Sequence, residues 1–312
     1  MAQVAAARPT TTQRRAAGGD AVKMVKLEAA GNDFLVLLVP APGGGPVPFG
    51  PVRVRAVCDR RRGVGADGVL IGRPGGGAGS EAVDLEMQLY NADGSEAEMS
   101  GNGIRCLVHA AVRAGMVTAG VVRVATAAGL RTVAYEPGTD RPGAATEVWA
   151  RVDMGRVRLG PEVASPLAGT RARLADVGNP HLVAIGDVAL EEVDLGSLAA
   201  AAADAVGAPV NLEVVRPGRD GADLALRVFE RGVGETLSCG TGSCAAAAVA
   251  RDYRMVGDVV TVDNPGGRLE VRLGAGERPD AVVDGVELGG PVRTIADVEV
   301  DAAFFGAAGE DG

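Results

Sequence analysis

The chain has 312 residues, of which 47% are hydrophobic, and this is enough to build the cores of two domains of ordinary size. Lys and Arg total 31 against 40 Asp and Glu, so the net charge is −9. Because Lys and Arg do not cluster along any predicted element, the sequence excludes nucleic acid and anionic membrane surfaces as expected partners. Aromatic residues make up only 3%, so the core must consist mainly of Val, Leu and Ala.

The four cysteines, Cys58, Cys106, Cys239 and Cys244, lack the paired spacing that is typical of metal sites. With no secretory segment in the sequence, they indicate reduced thiols in a cytoplasmic protein rather than a disulfide framework. The Gly-rich turns lack both the lysine of a phosphate loop and the spacing of a dinucleotide site. The sequence therefore predicts no metal and no cofactor.

In the first half of the chain, apolar runs predict strands at residues 24–27 and 34–39, on either side of a Gly-containing turn. Pro51 predicts the start of a helix over residues 52–62, which a Gly-rich turn at 63–68 ends. Further elements are predicted as strands at 69–71 and 83–90, a helix from about 100 to 114, and strands near Val121 and Leu130. A turn-rich segment at 138–145 predicts a domain boundary.

The second half has the same kind of pattern. Strands are predicted at residues 147–153, 182–185, 210–215 and 224–229, and a helix at 195–206. An Ala-rich helix follows Cys239, and strands near Val260, Leu269 and Val283 complete the predicted elements.

The two halves resemble each other in sequence. When Cys239 is aligned with Ser100, 139 residues earlier, Gly240 and Gly242 fall on Gly101 and Gly103. The same alignment places Glu235 on Glu96 and Phe229 on Tyr90, and the unit Gly-Asn-x-x-Leu-Val occurs at both 31–36 and 178–183. A strand–Gly–strand pair also matches, residues 121–133 with residues 260–271, and three matches in the same order predict two similarly folded halves.

Ser100 and Cys239 each stand at a Gly-flanked turn before a predicted helix. Free backbone N–H groups and the positive end of the helix dipole favour an anion at such a turn. If the halves face each other, two proton carriers flank one carbon, the arrangement needed to invert a stereocentre without a cofactor. The helix starts would bind the substrate carboxylate and stabilise the enolate-like charge.

Several separate motifs then resemble the diaminopimelate epimerase family of cofactor-independent amino-acid epimerases. They cover most of the chain, from about Met24 to Ile295. The motifs are Gly31-Asn32-Asp33-Phe34, Gly63-x-Gly65-x-Asp67, Asn91-Ala92-Asp93-Gly94-Ser95, Gly101-Asn102-Gly103-x-Arg105-Cys106, Gly178-Asn179-Pro180-His181, Asn211, Glu230-Arg231-Gly232-x-Gly234-Glu235-Thr236 and Cys239-Gly240-Thr241-Gly242.

The resemblance implies an α/β (α+β) fold of two pseudo-symmetric domains, each a barrel-like sheet around a central helix, with the active site in the cleft between them. The expected bounds are a disordered tail at 1–22, an N-terminal domain at 23–143 plus 290–303, a C-terminal domain at 144–289 and a tail at 304–312. The implied reaction interconverts LL- and meso-diaminopimelate, for lysine and peptidoglycan synthesis. A small amino acid is the expected partner, and a homodimer is a candidate assembly.

The resemblance also implies residue roles. Cys239 matches one catalytic thiol, Ser100 stands at the position of the other, and His181 and Glu230 match a pair that supports proton transfer. The implied substrate-binding residues are Asn32, Gly101, Asn102, Gly240 and Thr241 at the reacting end, and Asn91, Asn179, Asn211 and Arg231 at the distal amino-acid end. His109, inside a predicted helix, is interpreted as structural.

Ser100 departs from the family, which has a second cysteine there. A serine hydroxyl is a far weaker acid than a thiol and needs a partner to act as a base. Three interpretations remain open: a slow or asymmetric epimerase in which Ser100 relays a proton from water, a related one-base isomerase or lyase on another amino acid, and a non-catalytic homologue that binds diamino acids. Smaller departures are Ala29-Ala30 in place of His-Gly and Gly68 in place of a polar residue.

Overall fold

The structure, a computed structural model, describes residues 21–40, 49–77, 82–137, 147–218, 223–274 and 281–307. The first-half elements are β1 (Val22–Ala29), β2 (Asn32–Leu38), α1 (Pro51–Cys58), β3 (Gly68–Pro74), β4 (Leu85–Asn91), β5 (Glu96–Ala97), α2 (Gly101–Arg113), β6 (Gly120–Thr126) and β7 (Gly129–Glu136). Among all the residues that the structure describes, no helix is both long and apolar enough to cross a membrane.

The second half repeats this order. Its elements are β8 (Glu147–Val163), β9 (Arg171–Asp176), β10 (Pro180–Ile185), α3 (Leu195–Val206), β11 (Asn211–Pro217), β12 (Leu224–Glu230), β13 (Gly234–Thr236), α4 (Gly240–Asp252), β14 (Val259–Asn264), β15 (Gly267–Arg272), β16 (Val282–Val300) and α5 (Ala302–Ala307). A short 3₁₀ turn, Leu190–Glu192, precedes α3.

Strand pairing repeats between the halves as well. β2 pairs with β3 in parallel, as β10 does with β11, and α1 or α3 makes the crossover. β4 pairs with β6 in parallel, as β12 does with β14; Leu85 faces Val124 in the first pair and Leu224 faces Val262 in the second. The predicted α/β class with two similarly folded halves is confirmed.

Two long strands tie the halves together. The first part of β8 pairs with β7 and its last part with β9, while β16 pairs first with β15 and then with β1. The two strands also pair with each other in antiparallel register, for example Leu288 with Val152. The strand predicted at 147–153 is therefore too short, since β8 continues past Gly155, a glycine at φ +80°, to Val163.

The central helices α2 and α4 lie in one shared core. Residues 101–111 of α2 and 242–251 of α4 are buried, and α4 presents an almost unbroken run of alanines to the surrounding strands. Small side chains allow the surrounding strands to pack closely against the helix on all sides, so the core is filled although aromatic residues are few. The helices α1 and α3 cover two separate apolar clusters on the other side of the sheet.

Some predicted bounds differ from the structure. Helix α1 ends at Cys58, so the prediction of a helix over 52–62 is wrong at its C-terminal end. The Asp59 carboxylate accepts hydrogen bonds from the N–H groups of Arg61 and Arg62, at 2.8 and 2.7 Å, and turns the chain away. Near the other end of the chain, Phe305 of α5 is 3% exposed and its ring lies 5.1 Å from that of Phe49, although residues 304–312 were expected to be a tail.

The remaining domain bounds stay predictions. The tail predicted at 1–22 falls almost wholly outside the described residues, as do the boundary segment 138–145 and the end of the chain from 308.

Candidate active site

One open cavity of about 1060 Å³ lies between the two halves. Twelve of the thirteen predicted site residues contribute to its wall: Asn32, Asn91, Ser100, Gly101, Asn102, Asn179, Asn211, Glu230, Arg231, Cys239, Gly240 and Thr241. They come from both halves of the chain, so the repeat brings its equivalent turns to a common space. His181 alone lies behind the wall, with no exposed surface.

Ser100 and Cys239 occupy equivalent places in this wall, because each is the residue that caps a central helix. Ser100 has extended backbone angles (φ −137°, ψ 123°), and its Oγ accepts a hydrogen bond from Gly103 N at 3.0 Å. Cys239 has nearly the same angles (φ −128°, ψ 116°), and its Sγ accepts from Gly242 N at 3.3 Å. An extended N-cap with a side-chain acceptor is the usual way to begin a helix.

The two helix starts touch each other. A Cβ built on Gly240 would lie 3.8 Å from Gly101 Cα, and the Leu288 side chain packs against both glycines. The first helical hydrogen bonds run from Ile104 N to Ser100 O and from Ser243 N to Cys239 O. The backbone N–H groups that precede Ile104 and Ser243 in each helix have no acceptor within the helix. Two sets of donors and the positive ends of two helix dipoles therefore converge on the cavity. Such a site suits a carboxylate.

Cys239 is only 6% exposed and has acidic neighbours. Burial, together with the charges of Glu230 and Glu213, raises the pKa of its thiol well above the ordinary value, which keeps the proton on sulfur in the free protein. The Glu230 carboxylate lies close to this thiol, and burial raises the pKa of Glu230 itself. Glu230 is held in turn by Thr236 Oγ1 at 2.5 Å, so a proton acceptor is fixed beside the sulfur.

His181 and Glu213 form a fully buried pair behind Cys239. His181 Nδ1 lies 2.7 Å from Glu213 Oε1, and His181 Nε2 lies 3.0 Å from Asn179 Oδ1 in the cavity wall. A Cβ at position 242 would come within 2.5 Å of Glu213 Oε1, so a side chain there would displace this carboxylate. Glu213 is not among the residues predicted for the site; its signal in the sequence is a single carboxylate in an apolar strand, two residues after Asn211 and on the same face.

On the Ser100 side, the wall contains two linked amides. Asn102 Nδ2 donates to Asn32 Oδ1 at 2.6 Å, and Asn32 Nδ2 donates to Asp67 Oδ2 at 3.3 Å. Behind them, Arg105 Nη2 donates to Asn102 Oδ1 at 2.6 Å. Arg105 belongs to the motif at residues 101–106 but has no role among those predicted from the sequence.

The far end of the cavity is polar and more open. Asn211 Oδ1 accepts from Arg231 N at 2.9 Å, which fixes the loop that carries the exposed Arg231 side chain. Asn91 Nδ2 donates to Ser95 Oγ at 3.0 Å. Across the described residues, the Arg231 guanidinium has no carboxylate partner, so a cation faces the cavity and is available to an anionic ligand.

One histidine and two cysteines of the central helices lie away from the cavity. His109 lies inside α2, where its two ring nitrogens contact Tyr135 Oη at 2.9 Å and Thr294 Oγ1 at 3.0 Å. Cys106 and Cys244 are fully buried, and burial raises the pKa of each thiol to about 12. In the ranges that the structure describes, no three His, Cys, Asp or Glu side chains converge as metal ligands.

The sequence profile of the diaminopimelate epimerase family matches residues 25–159 and 173–293. The chain belongs to this family. It is 39% identical over 292 residues to the diaminopimelate epimerase of Corynebacterium aurimucosum, a match that covers 88% of this chain and 98% of the relative. It is 36% identical over 301 residues to that of Methanocella arvoryzae, covering 91% of this chain and 98% of the relative.

Solved structures share the fold at low sequence identity. A PhzF-family phenazine biosynthesis protein of Bacillus anthracis superposes with a TM-score of 0.66 at 13% identity, over 90% of this chain and 99% of that one. A probable proline racemase of Agrobacterium radiobacter gives 0.63 at 19% identity, over 90% and 93%. At these identities the likeness shows the fold alone, and the family assignment rests on the sequence relatives.

Proposed function

We propose that this protein interconverts LL- and meso-diaminopimelate without a cofactor, by proton transfer at the two faces of one α-carbon. The observation that carries the proposal is the pair of N-capping side chains, Ser100 and Cys239, on two helices that touch at their starts and open into one cavity. The names of the sequence relatives support the choice of substrate.

On one face, Cys239 acts with Glu230. The carboxylate takes the thiol proton, and the thiolate then removes the α-proton of the substrate. The negative charge that develops on the substrate carboxylate is stabilised by the N–H groups of Gly101, Asn102, Gly240 and Thr241 at the two helix starts. The buried His181 holds Asn179 in place and supports this side of the site.

On the other face, the Ser100 hydroxyl donates a proton that it recovers from water. Since Ser100 Oγ is hydrogen-bonded to a backbone N–H, with no carboxylate bonded to it among the described residues, this is the weaker of the two carriers. At the distal end, Arg231 pairs with the second carboxylate of the substrate, and the amides of Asn91, Asn179 and Asn211 bind the second amino-acid group. An inward-facing cation and several amides suit a charged amino acid.

The test is incubation with LL- and meso-diaminopimelate in D₂O, following α-deuterium by mass spectrometry and the isomer ratio by chromatography. Deuterium uptake with inversion supports the proposal. Uptake without inversion refutes it in favour of a one-base reaction, the second candidate, which the backbone-only contact of Ser100 favours. Binding without exchange refutes both and leaves a diamino-acid-binding protein.

We also propose that the protein is cytoplasmic and forms a homodimer. The four free, buried cysteines support a reducing compartment. Exposed apolar side chains, such as Val121 at 69% and Val259 at 55%, offer surface for self-association. Sedimentation equilibrium of the full chain tests the dimer, and a monomer at micromolar concentration would contradict it.

A further inference from the structure

Arg105 is a fully buried cation without an anionic partner. Its side chain has no exposed surface, and within the described part of the chain no carboxylate lies at ion-pair distance from it. Its Nε and Nη1 atoms have no hydrogen-bond partner, and burial lowers its pKa to about 10. A buried charge of this kind lowers stability, and apolar replacements of buried ionic groups are often neutral or stabilising. Stability therefore does not explain Arg105.

Within the described ranges, Arg105 makes one hydrogen bond, and this bond fixes the orientation of a cavity amide. A guanidinium can only donate, so the Asn102 oxygen must face Arg105, and the Asn102 Nδ2 group must point the other way. That group donates to Asn32 Oδ1, which turns Asn32 Nδ2 towards the acceptor Asp67. An obligate donor and an obligate acceptor thus set both amides between them.

Both amides lie in the cavity wall at the start of α2. Arg105 lies one turn further along the same helix, so its charge adds to the positive end of the dipole that faces the reacting carbon. The space for it is kept open by Gly290, where a Cβ would come within 2.5 Å of Arg105 Nη1. The equivalent position of α4, 139 residues later, is Cys244, so only the Ser100 side has this charge.

We propose that Arg105 is a positioning residue, which orients Asn102 and Asn32 and supplies positive charge behind the Ser100 face of the site. This inference rests on the proposed function. The proposal implies that Arg105 lowers the free energy of the transition state but makes the folded protein less stable than an apolar side chain would. Removing it should therefore separate activity from stability.

The experiment compares Arg105→Met with Arg113→Met, the same change in the same helix at an exposed arginine paired with Asp297 at 2.6 Å. For Arg105→Met we expect a melting temperature no more than about 2 °C below that of the parent. Its exchange rate in D₂O should fall by about 10- to 100-fold, since small displacements of positioned groups have effects of this size. Arg113→Met should keep the parent rate.

A double-mutant cycle decides whether Arg105 acts through Asn102. In an Asn102→Ala background, adding Arg105→Met should change the rate by less than about threefold, because coupled residues are not additive. An additive loss, an unchanged rate in Arg105→Met, or a variant that is insoluble or melts far below the parent would each overturn the inference.

Failure of the proposed function itself has a different signature, the absence of exchange in the parent. In that case the thermal shift caused by diaminopimelate is compared between the parent and Arg105→Met. An equal shift refutes the positioning role, and a lost shift in an equally stable variant supports it.

Discussion

Ser100→Cys should raise the rate of α-proton exchange and inversion greatly. The position already has the geometry for a thiol, because Ser100 and Cys239 have matching backbone angles and both accept a hydrogen bond from the third residue of their helix. The larger sulfur atom is already accommodated at Cys239, where Sγ lies 3.3 Å from the donating N–H nitrogen; the corresponding distance at Ser100 Oγ is 3.0 Å. No backbone change is needed.

The magnitude follows from the surroundings of the new thiol. Cys239 has two carboxylates nearby, whereas Ser100 is half-buried and bonded to a backbone donor. A thiol at position 100 should thus titrate near the ordinary cysteine pKa of about 8.5, so roughly half would be ionised at that pH. A general acid or base contributes about 10²–10⁴-fold. We expect a gain of at least about 100-fold, or about 2.7 kcal/mol of activation free energy.

The assay follows exchange and isomer ratio in D₂O near pH 8.5, with reductant present because the variant has two thiols in one cavity. Ser197→Cys is the matched control, since it places a thiol in the first turn of another helix, α3, outside the cavity. A Ser100→Cys protein that folds like the parent but gains no rate would refute the reasoning that the hydroxyl limits catalysis.

Three further predictions concern the other face and the scaffold. Cys239→Ser replaces the capping sulfur with a capping oxygen and should melt like the parent, but exchange should fall by about 100-fold or more, measured in the same assay. Gly242→Ala should lower the free energy of unfolding, measured in urea, by about 1–3 kcal/mol, because its Cβ would come within 2.5 Å of the buried Glu213. The control is Gly196→Ala in α3, where the added Cβ meets only an ordinary contact; this change should raise the free energy of unfolding by up to about 1 kcal/mol. Asp33 has a lowered pKa because hydrogen bonds from two basic neighbours outweigh its burial, so its contribution to stability is present above about pH 4 and is lost as the pH falls further. The difference in melting temperature between the parent and Asp33→Asn should therefore stay constant from pH 6 to about pH 4 and narrow below that pH.

Local sequence patterns were sufficient to locate both helix starts. A glycine directly after Ser100 and after Cys239, followed by a helical run, predicts an N-cap from short-range information alone. The offset of 139 residues between them then predicts a shared cleft without any long-range contact being known. Helix 195–206 was predicted with its correct bounds for the same reason, since Asp194 and Gly207 are standard caps.

Features that depend on tertiary contacts could not be predicted. Strand β9 (Arg171–Asp176) forms between its neighbours β8 and β10, and its sequence alone gives no strand signal strong enough to assign. A lone Glu213 in an apolar run cannot be told from a surface residue until His181 is seen against it. Arg105 was similarly ambiguous, since arginine in a helix is usually solvated.

The two halves share their geometry and differ in their buried charges. The sheet registers align Glu213 with Leu70, and the repeat aligns Arg105 with Cys244. Glu213 and Arg105 have no exposed surface, and the other half has an apolar residue or a thiol at each of these positions. Burial and the nearby carboxylates raise the pKa of the Cys239 thiol and retain its proton, while a cation lies behind Ser100. In the proposed reaction, Glu230 must therefore accept the thiol proton before Cys239 can act as the base. A face without such an acceptor can return a proton but is poorly equipped to remove one, so exchange in D₂O should be faster from the isomer whose α-proton faces Cys239.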